Sequence, residues 1–133
     1  MQLKEIKDLT VHTDQRGWLA EIFRPNDVDN NIKGQFLITT AHPGIVKGNH
    51  YHARKHEWYC VMKGQMTLAL VDTKTRKREE VVLTDKKLQI VKINPNVSHG
   101  FKNTGNEMAY LLIYIDETFD KNDPDTFPDV VIE

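Results

Sequence analysis

The sequence predicts an all-β domain, either a small sandwich or a barrel. Helical signals are nearly absent, because few windows of about 11 residues place apolar side chains at i, i+3, i+4 and i+7. Alternating or β-branched runs dominate instead, and turn residues separate them at short intervals. This spacing favours a sandwich or barrel over units in which strands alternate with helices.

Each predicted strand is an alternating or β-branched run, and residues typical of turns separate many of these runs. In chain order the runs are Trp18–Arg24, Gln35–Thr40, Ile45–Tyr51, Glu57–Met62, Gln65–Asp72, Arg78–Leu83, Leu88–Ile93, His99–Asn103 and Met108–Ile115. The turns between them include Asp14-Gln15-Arg16-Gly17, Lys63-Gly64, Thr73–Lys77, Asn94-Pro95-Asn96 and Asn103-Thr104-Gly105-Asn106.

Length predicts a single domain over residues 1–133, since a domain commonly takes roughly 100–200 residues. Hydrophobic residues make up 39% of the chain and charged residues 28%, which is enough apolar material for a core. Residues 116–133 contain seven acidic residues, one lysine and two prolines. We expect this segment to be a C-terminal arm at the surface.

Charge and composition exclude several classes of function. Eighteen Lys and Arg against nineteen Asp and Glu leave a formal charge of −1, which disfavours a nucleic-acid partner. No apolar run approaches the ~18 residues of a membrane span, and the first residues lack the apolar stretch of a signal peptide. We therefore expect a cytoplasmic protein with no membrane partner. Cys60 is the single cysteine, so an intrachain disulfide and a thiolate zinc site are excluded.

The histidines carry the clearest chemical signal. Three of the six lie within seven positions, His50 to His56, and Glu57 follows at once. His50 and His52 share a strand face, whereas Glu57 can join them only if the chain turns or bulges after His52. His99 follows a tight turn on a later strand. Three imidazoles and a carboxylate suit Zn²⁺, Ni²⁺, Fe²⁺ or Mn²⁺ and leave coordination positions open.

Simpler interpretations exist for these residues. A lone His-x-His pair is often two half-exposed strand histidines. His12 and His42 have no partner at ligand spacing and are expected at the surface. The parity of His56 is opposite to that of Glu57, so we expect it outside the ligand set. Cys60 also alternates away from Glu57 and is expected to be a small buried hydrophobe.

Two motifs resemble those of the cupin superfamily. Gly44, five residues, His50-Tyr51-His52, four residues, Glu57, six residues and Gly64 match the first cupin motif in spacing and identity. Asn94 to Asn103 resembles the second motif through His99 and Asn103, with Asn96 in the place of its glycine. Asn tolerates positive φ better than most residues. The resemblance implies a double-stranded β-helix (jelly-roll) barrel with a divalent metal on His50, His52, Glu57 and His99.

A narrower resemblance covers most of the chain. It rests on the following segments: Thr13–Leu19, Glu21–Arg24, Lys47–Tyr51, Val71-Asp72 and Ser98–Phe101. These are similar to the dTDP-4-dehydrorhamnose 3,5-epimerase group of sugar-nucleotide cupins, in which a histidine matching His50 is the general base. That group has Gln where this chain has His52, and it has no metal. The site therefore also resembles the metal-binding cupin domains of capsular-polysaccharide enzymes.

Two functions follow as hypotheses. The first is an epimerase or ketoisomerase acting on a dTDP- or UDP-4-keto-6-deoxyhexose in surface-polysaccharide biosynthesis. If His50 binds a metal it cannot also be the base, and the candidates are then metal-bound water, Tyr51 and Tyr59. Of the two tyrosines, Tyr59 is preferred because it lies on the Glu57 face. The second is a metal-containing cupin that binds a sugar or small acid without turnover.

Partners can be predicted at the same level. Arg16, Arg24, Lys47 and Lys55 are candidate contacts for a pyrophosphate, although solvated surface cations are the simpler interpretation. The apolar residues Trp58, Cys60 and Met62 alternate away from the site. Together with the edge strands of a small barrel, they predict a symmetric homodimer.

Overall fold

The computed structural model describes residues 3–15, 17–20, 22 and 33–133. Among these residues it contains strands, turns and irregular segments but no helix. The strands in chain order are β1 (Glu5–Asp8), β2 (Val11–Asp14), β3 (Gly17–Ala20), β4 (Gln35–Ala41), β5 (Val46–Tyr51), β6 (Glu57–Lys63), β7 (Gln65–Asp72), β8 (Arg78–Thr84), β9 (Gln89–Ile93), β10 (Val97–Asn103), β11 (Ala109–Ile115) and β12 (Phe127–Pro128).

Two five-stranded antiparallel sheets form the barrel. One has the order β1-β9-β6-β11-β4 and the other the order β12-β5-β10-β7-β8, while β2 and β3 form a separate hairpin. Apart from β7 and β8, neighbours in each sheet are not consecutive in sequence, so the two sheets are wound together as in a jelly roll. The predicted all-β jelly-roll fold is confirmed.

The core lies between the two sheets, where one face of each strand is buried. Leu68 on β7 and Leu111 on β11 are completely buried, and Val61 on β6 and Val91 on β9 pack in the same cluster. Several of their strand neighbours, such as Cys60 and Ala69, are buried too, so parts of both sheets are covered on both faces.

Most predicted strands agree with the structure to within two residues. The structure has β1 and β2 at the N-terminal side and β12 in the arm, which lie outside the nine strand ranges predicted from the sequence. β1 pairs with β9, and β12 pairs with β5 through only two residues, so both depend on partners far along the chain. The predicted strand Trp18–Arg24 is described only in part, because residues 21, 23 and 24 lie outside the described ranges.

The predicted apolar outer face needs a correction. Trp58 and Cys60 are buried, and Trp58 packs with Ile90 and Tyr114 against Leu9 and Ile22 of the chain's own N-terminal part. These two side chains are therefore covered within one chain. Met62, the third residue of that face, is exposed.

Candidate metal centre

The four predicted ligand residues converge at one end of the barrel interior. His50 lies on β5, Glu57 begins β6, and His99 lies on β10 directly opposite His50 in the antiparallel register. His52 follows the end of β5, and the turn over residues 52–56 brings Glu57 back beside it. One ligand atom from each of the four residues lies within 4.8 Å of the other three.

Burial distinguishes His50 from the other three. His52, Glu57 and His99 are 6%, 4% and 0% exposed, whereas His50 is partly exposed. The His50 ring lies 5.0 Å from the His52 ring and 4.9 Å from the His99 ring, centroid to centroid. The group is therefore closed on three sides, and access from solvent is past His50.

Hydrogen bonds orient two of the imidazoles. His52 Nδ1 lies 2.7 Å from the backbone carbonyl of Asp125, and His99 Nδ1 lies 3.0 Å from that of Val97. A carbonyl only accepts, so each Nδ1 must carry the proton and donate it. In the neutral form of each ring, Nε2 therefore keeps its lone pair, and it points towards the group.

Both of these Nε2 atoms are buried without a hydrogen-bond partner. His52 Nε2 contacts Glu57 Oε1, and His99 Nε2 lies 3.7 Å from the same oxygen, so both nitrogens face the carboxylate. Unpaired buried nitrogens are costly, and native structures rarely leave them so. Neutral imidazole nitrogens beside a carboxylate fit a divalent cation of the Zn²⁺, Ni²⁺, Fe²⁺ or Mn²⁺ type.

The electrostatics of the group are strongly coupled. Burial, reinforced by the neighbouring His99 and His52, lowers the pKa of His50 to about 4. Burial also disfavours the charged form of His52, but contact with the Glu57 carboxylate outweighs it and raises the pKa of His52. Burial would raise the pKa of Glu57, yet its two histidine neighbours hold that pKa well below the usual range. Glu57 is thus ionised at neutral pH.

Tyr59, the predicted catalytic tyrosine, lies on the inner face of β6 beside Glu57. It is 3% exposed, and its ring meets the His99 ring edge to face at 5.8 Å. Burial and the nearby Glu57 charge raise the pKa of Tyr59 well above its usual value. A phenol in this state holds its proton at neutral pH, which disfavours Tyr59 as a base. Tyr51 stacks on Phe127 of β12, with ring centroids 5.1 Å apart.

The remaining candidates lie outside the group. His12 and His42 are exposed, Cys60 is buried, and His56 pairs with Asp116 at 2.9 Å instead of facing the ligands. Strand parity predicted the placements of His56 and Cys60, and the lack of a partner at ligand spacing predicted those of His12 and His42.

The candidate pyrophosphate contacts differ from one another. Lys55 is 2% exposed and donates to the carbonyl of Pro124, so its charge is directed to the arm and not to solvent. Lys47 is exposed, and its Nζ donates to Thr39 Oγ1 at 3.0 Å. Arg16 and Arg24 lie outside the described residues.

Sequence reasoning missed Asp125. Its carboxylate accepts the backbone N–H groups of Ala53, Arg54 and Lys55, and its own carbonyl accepts from His52. An acidic, proline-containing terminal segment gives no signal for such a role. Only the pairing of β12 with β5 brings Asp125 to the turn.

A two-sheet jelly roll with two histidines and a glutamate from one motif and a histidine from a second defines a cupin. The chain belongs to the polysaccharide biosynthesis C-terminal domain family, whose profile matches residues 12–127.

Two curated relatives show the range of this similarity. The UDP-2-acetamido-2,6-beta-L-arabino-hexul-4-ose reductase of Pseudomonas aeruginosa is 32% identical over 120 residues, which are 90% of this chain and 31% of that protein. The probable low-salt glycan biosynthesis epimerase Agl13 of Haloferax volcanii is 29% identical over 128 residues, covering 91% of this chain and 82% of Agl13. The chain thus spans about a third of the reductase but most of Agl13.

Solved structures agree on the fold. The capsular polysaccharide assembling protein CapF of Staphylococcus aureus superposes with a TM-score of 0.73 at 28% identity, over 94% of this chain and 33% of CapF. A dTDP sugar isomerase of Desulfovibrio desulfuricans gives a TM-score of 0.85 at 17% identity, over 96% of this chain and 83% of its own. At that identity the second likeness concerns the fold alone. Within the described ranges there is no helix that is long and apolar enough to cross a membrane.

Proposed function

We propose that this chain is a metal-dependent cupin that acts on a keto-sugar nucleotide, as an epimerase or ketoisomerase in surface-polysaccharide biosynthesis. The observation that carries the proposal is the convergence of three imidazoles and one carboxylate within 4.8 Å, with two Nε2 atoms that have no hydrogen-bond partner. Two relatives support the substrate class, since one is named as a reductase of a UDP-linked hexulose and another as a probable glycan biosynthesis epimerase.

His50, His52, Glu57 and His99 would hold the ion. A divalent ion bound there would supply Lewis acidity towards a carbonyl oxygen, which acidifies the proton on the neighbouring carbon. The chain itself orients His52 and His99 through their Nδ1–H groups and keeps Glu57 ionised. Because His50 is the partly exposed member, a substrate would approach from its side of the group.

The identity of the base separates two versions of this proposal. A neutral His50 has a free lone pair only if it is not a ligand, and its lowered pKa makes it a weak acceptor of a proton. Tyr59 is close to Glu57 but holds its own proton, so it suits the donation of a proton better than its removal. In one version all four residues hold the ion, and a group other than His50 removes the proton. In the other version His52, Glu57 and His99 hold the ion, and His50 is the base.

Proton exchange tests the enzymatic proposal. The protein is incubated with a dTDP- or UDP-4-keto-6-deoxyhexose in D₂O, and deuterium at the carbons beside the ketone is followed by NMR. We expect exchange that stops when a chelator is added. Exchange that survives the chelator but is lost in His50→Ala would assign the reaction to His50 without a metal. No exchange with any tested keto sugar would contradict the enzymatic proposal.

The alternative is a cupin that binds a sugar or small acid without turnover. The chain spans about a third of the reductase and of CapF, so the chemistry of those longer proteins need not reside in the matching part. Saturation-transfer NMR with the same sugar nucleotides distinguishes the two. Binding without deuterium exchange would favour this alternative.

We also propose a homodimer formed through the outer face of β4. This strand is the last in its sheet, and its residues Phe36 and Ile38 are 58% and 73% exposed. Tyr110 and Met62 extend this apolar surface on neighbouring strands. Exposed apolar edge strands are commonly covered by a second copy.

Light scattering measures the assembly. We expect about twice the 15.4 kDa chain mass at micromolar concentration, and a shift towards one chain in Ile38→Glu. The matched control is Val82→Glu, which also replaces an exposed apolar residue by glutamate. Val82 lies on β8, an edge strand of the other sheet. A wild-type mass equal to one chain would contradict the dimer.

A further inference from the structure

The C-terminal arm, residues 116–133, docks beside the metal-ligand group. β12 adds to β5 with Phe127 opposite Tyr51 and Pro128 opposite His50. Beyond β12, the Asn49 side chain accepts the N–H groups of Val131 and Ile132. The arm is therefore attached along β5, the strand that carries His50.

Asp125 is the residue of the arm that touches this motif most closely. It is 4% exposed and has a positive φ of 47°, a conformation that Asp and Asn adopt more readily than most side chains. Its Oδ1 accepts from Ala53 N at 2.9 Å, and its Oδ2 accepts from Arg54 N at 3.0 Å and Lys55 N at 3.3 Å. Three amides of the turn between His52 and Glu57 are thus held by one carboxylate.

The backbone of the same residue acts on His52 directly. The Asp125 carbonyl accepts the Nδ1–H of His52 at 2.7 Å, so the carbonyl selects both the tautomer and the orientation of the ring. His99 obtains the equivalent bond from Val97, two residues away on its own strand. His52 instead depends on a partner 73 residues away, which is present only when the arm is docked.

We propose that Asp125 is a positioning residue for the metal centre, and that the docked arm completes this centre by aiming His52 Nε2 at the ion. The carboxylate ties Asp125 to the 53–55 turn, and this anchorage sets where the Asp125 carbonyl meets His52. The inference rests on the proposed metal site. It adds that part of the ligand geometry is supplied by the arm and not by the barrel strands.

The test compares three single variants with the wild type. Asp125→Gly removes the carboxylate but accepts the positive φ, so it separates lost hydrogen bonds from backbone strain. Asp125→Asn keeps the backbone conformation and one acceptor oxygen. The control is Asp123→Asn, the same chemical change two residues earlier, where the carboxylate is 61% exposed and pairs only at the surface with Arg54.

Zn²⁺ affinity is measured by competition with a chromophoric chelator. Loss of an outer hydrogen-bond partner weakens metal binding by about 10–100-fold. Asp125→Gly keeps the carbonyl that meets His52 but removes the carboxylate that anchors it, so we expect a loss of up to this size. Asp125→Asn should recover part of the affinity, and Asp123→Asn should match the wild type.

The ring nitrogens of His52 provide a second readout that needs no metal. In chelator-treated protein at alkaline pH, ¹⁵N NMR should show the wild-type His52 proton on Nδ1, and a mixture of tautomers in Asp125→Gly. His99 should keep its Nδ1–H in every variant, because its partner is local.

Each outcome decides a separate point. Wild-type protein that binds none of Zn²⁺, Ni²⁺ and Mn²⁺ would overturn the proposed metal site together with this inference. Wild-type binding with unchanged affinity and an unchanged His52 tautomer in Asp125→Gly would overturn the positioning role alone. Equal losses of Zn²⁺ affinity in Asp125→Gly and Asp123→Asn would also overturn it, because removal of any negative charge from the arm would then explain the effect.

Discussion

The interior of the barrel has two ends with opposite chemistry, although the same strands build both. Along β6 the inward residues run from Glu57 through Tyr59 to Val61, and along β10 they run from His99 to Phe101. Tyr59 and Phe101 form an aromatic layer, meeting edge to face at 6.1 Å. The polar end is the group His50, His52, Glu57 and His99, and the apolar end is the group Val61, Met66, Leu68 and Leu111.

The difference lies in what each end contributes. The apolar end buries hydrocarbon side chains away from water, so it stabilises the fold. The polar end buries two imidazole nitrogens without a hydrogen-bond partner, which costs stability in the absence of a ligand. Groups kept in such a state are typical of a functional site.

Burial of a polar side chain is not by itself the distinguishing feature. Asn103, which belongs to the same sequence motif as His99, is 1% exposed, but its amide donates to the carbonyls of Ala41 and Glu107 and its oxygen accepts from Gly105. Asn103 is therefore a structural residue at the end of β10. The motif combines one residue that shapes a turn with one that is left available for a ligand.

The largest effect is expected from removing a ligand at the polar end. His52→Ala should weaken Zn²⁺ binding by more than the roughly 10–100-fold that loss of an outer partner costs. His56→Ala is the matched control, because His56 faces Asp116 and not the group. Isothermal titration of both variants checks this. Equal weakening in the two would mean that His52 is not a ligand.

The next effect belongs to the apolar end. Leu111→Ala removes a fully buried side chain beside Val61 and should lower the free energy of unfolding by about 2–5 kcal/mol. Urea unfolding in the presence of chelator measures this. Zn²⁺ affinity of the folded variant should stay at the wild-type level, and a large change would show that the two ends are not separable.

Acidification should separate two histidines that are two residues apart. In metal-free protein, NMR titration should give His50 a pKa of about 4 and His52 a pKa above the usual histidine value of 6.5. The pKa of His50 is lower in the folded than in the unfolded protein, so His50 contributes stability that is present above pH 6.5 and lost as the pH falls towards 4. His52 is shifted the other way, so its contribution is present below pH 6.5 and lost as pH rises through its folded pKa.

The same titration bears on metal binding. Ligand nitrogens must be unprotonated, so Zn²⁺ affinity should fall on acidification, with His52 taking up its proton before His50. Titration of both histidines together near pH 6.5 would contradict the opposite pKa shifts of His50 and His52, including the rise that Glu57 causes in His52.

The smallest effect is expected at a turn that supports the polar end. Asn96 has a φ of 64° and donates its N–H to the His52 carbonyl at 2.7 Å. Asn96→Ala should cost about 1–2 kcal/mol of unfolding free energy, because a Cβ is disfavoured at positive φ without the local hydrogen bonding that Asn offers. Asn96→Gly, the control, should be close to wild type. Chemical denaturation that gave equal losses for both would contradict this.

The sequence alone predicted the strand faces and the four side chains that converge in the barrel. Period-two alternation distinguishes inside from outside, and it correctly separated His50, His52 and Glu57 from His56 and Cys60. It also required a turn after His52, which the structure has over residues 52–56. The left-handed φ of Asn96, where the cupin motif has glycine, followed from side-chain type.

Tertiary structure decided what depends on distant pairing. Trp58 packs against Leu9 and Ile22 of the N-terminal part of the chain, and the role of Asp125 needs an arm that pairs with β5 through two residues. Neither contact has a periodic signal, because a short strand is stabilised by its partner and not by its own sequence pattern. Local chemistry therefore specified which side chains face inwards, and only the assembled barrel specified which carbonyl orients His52.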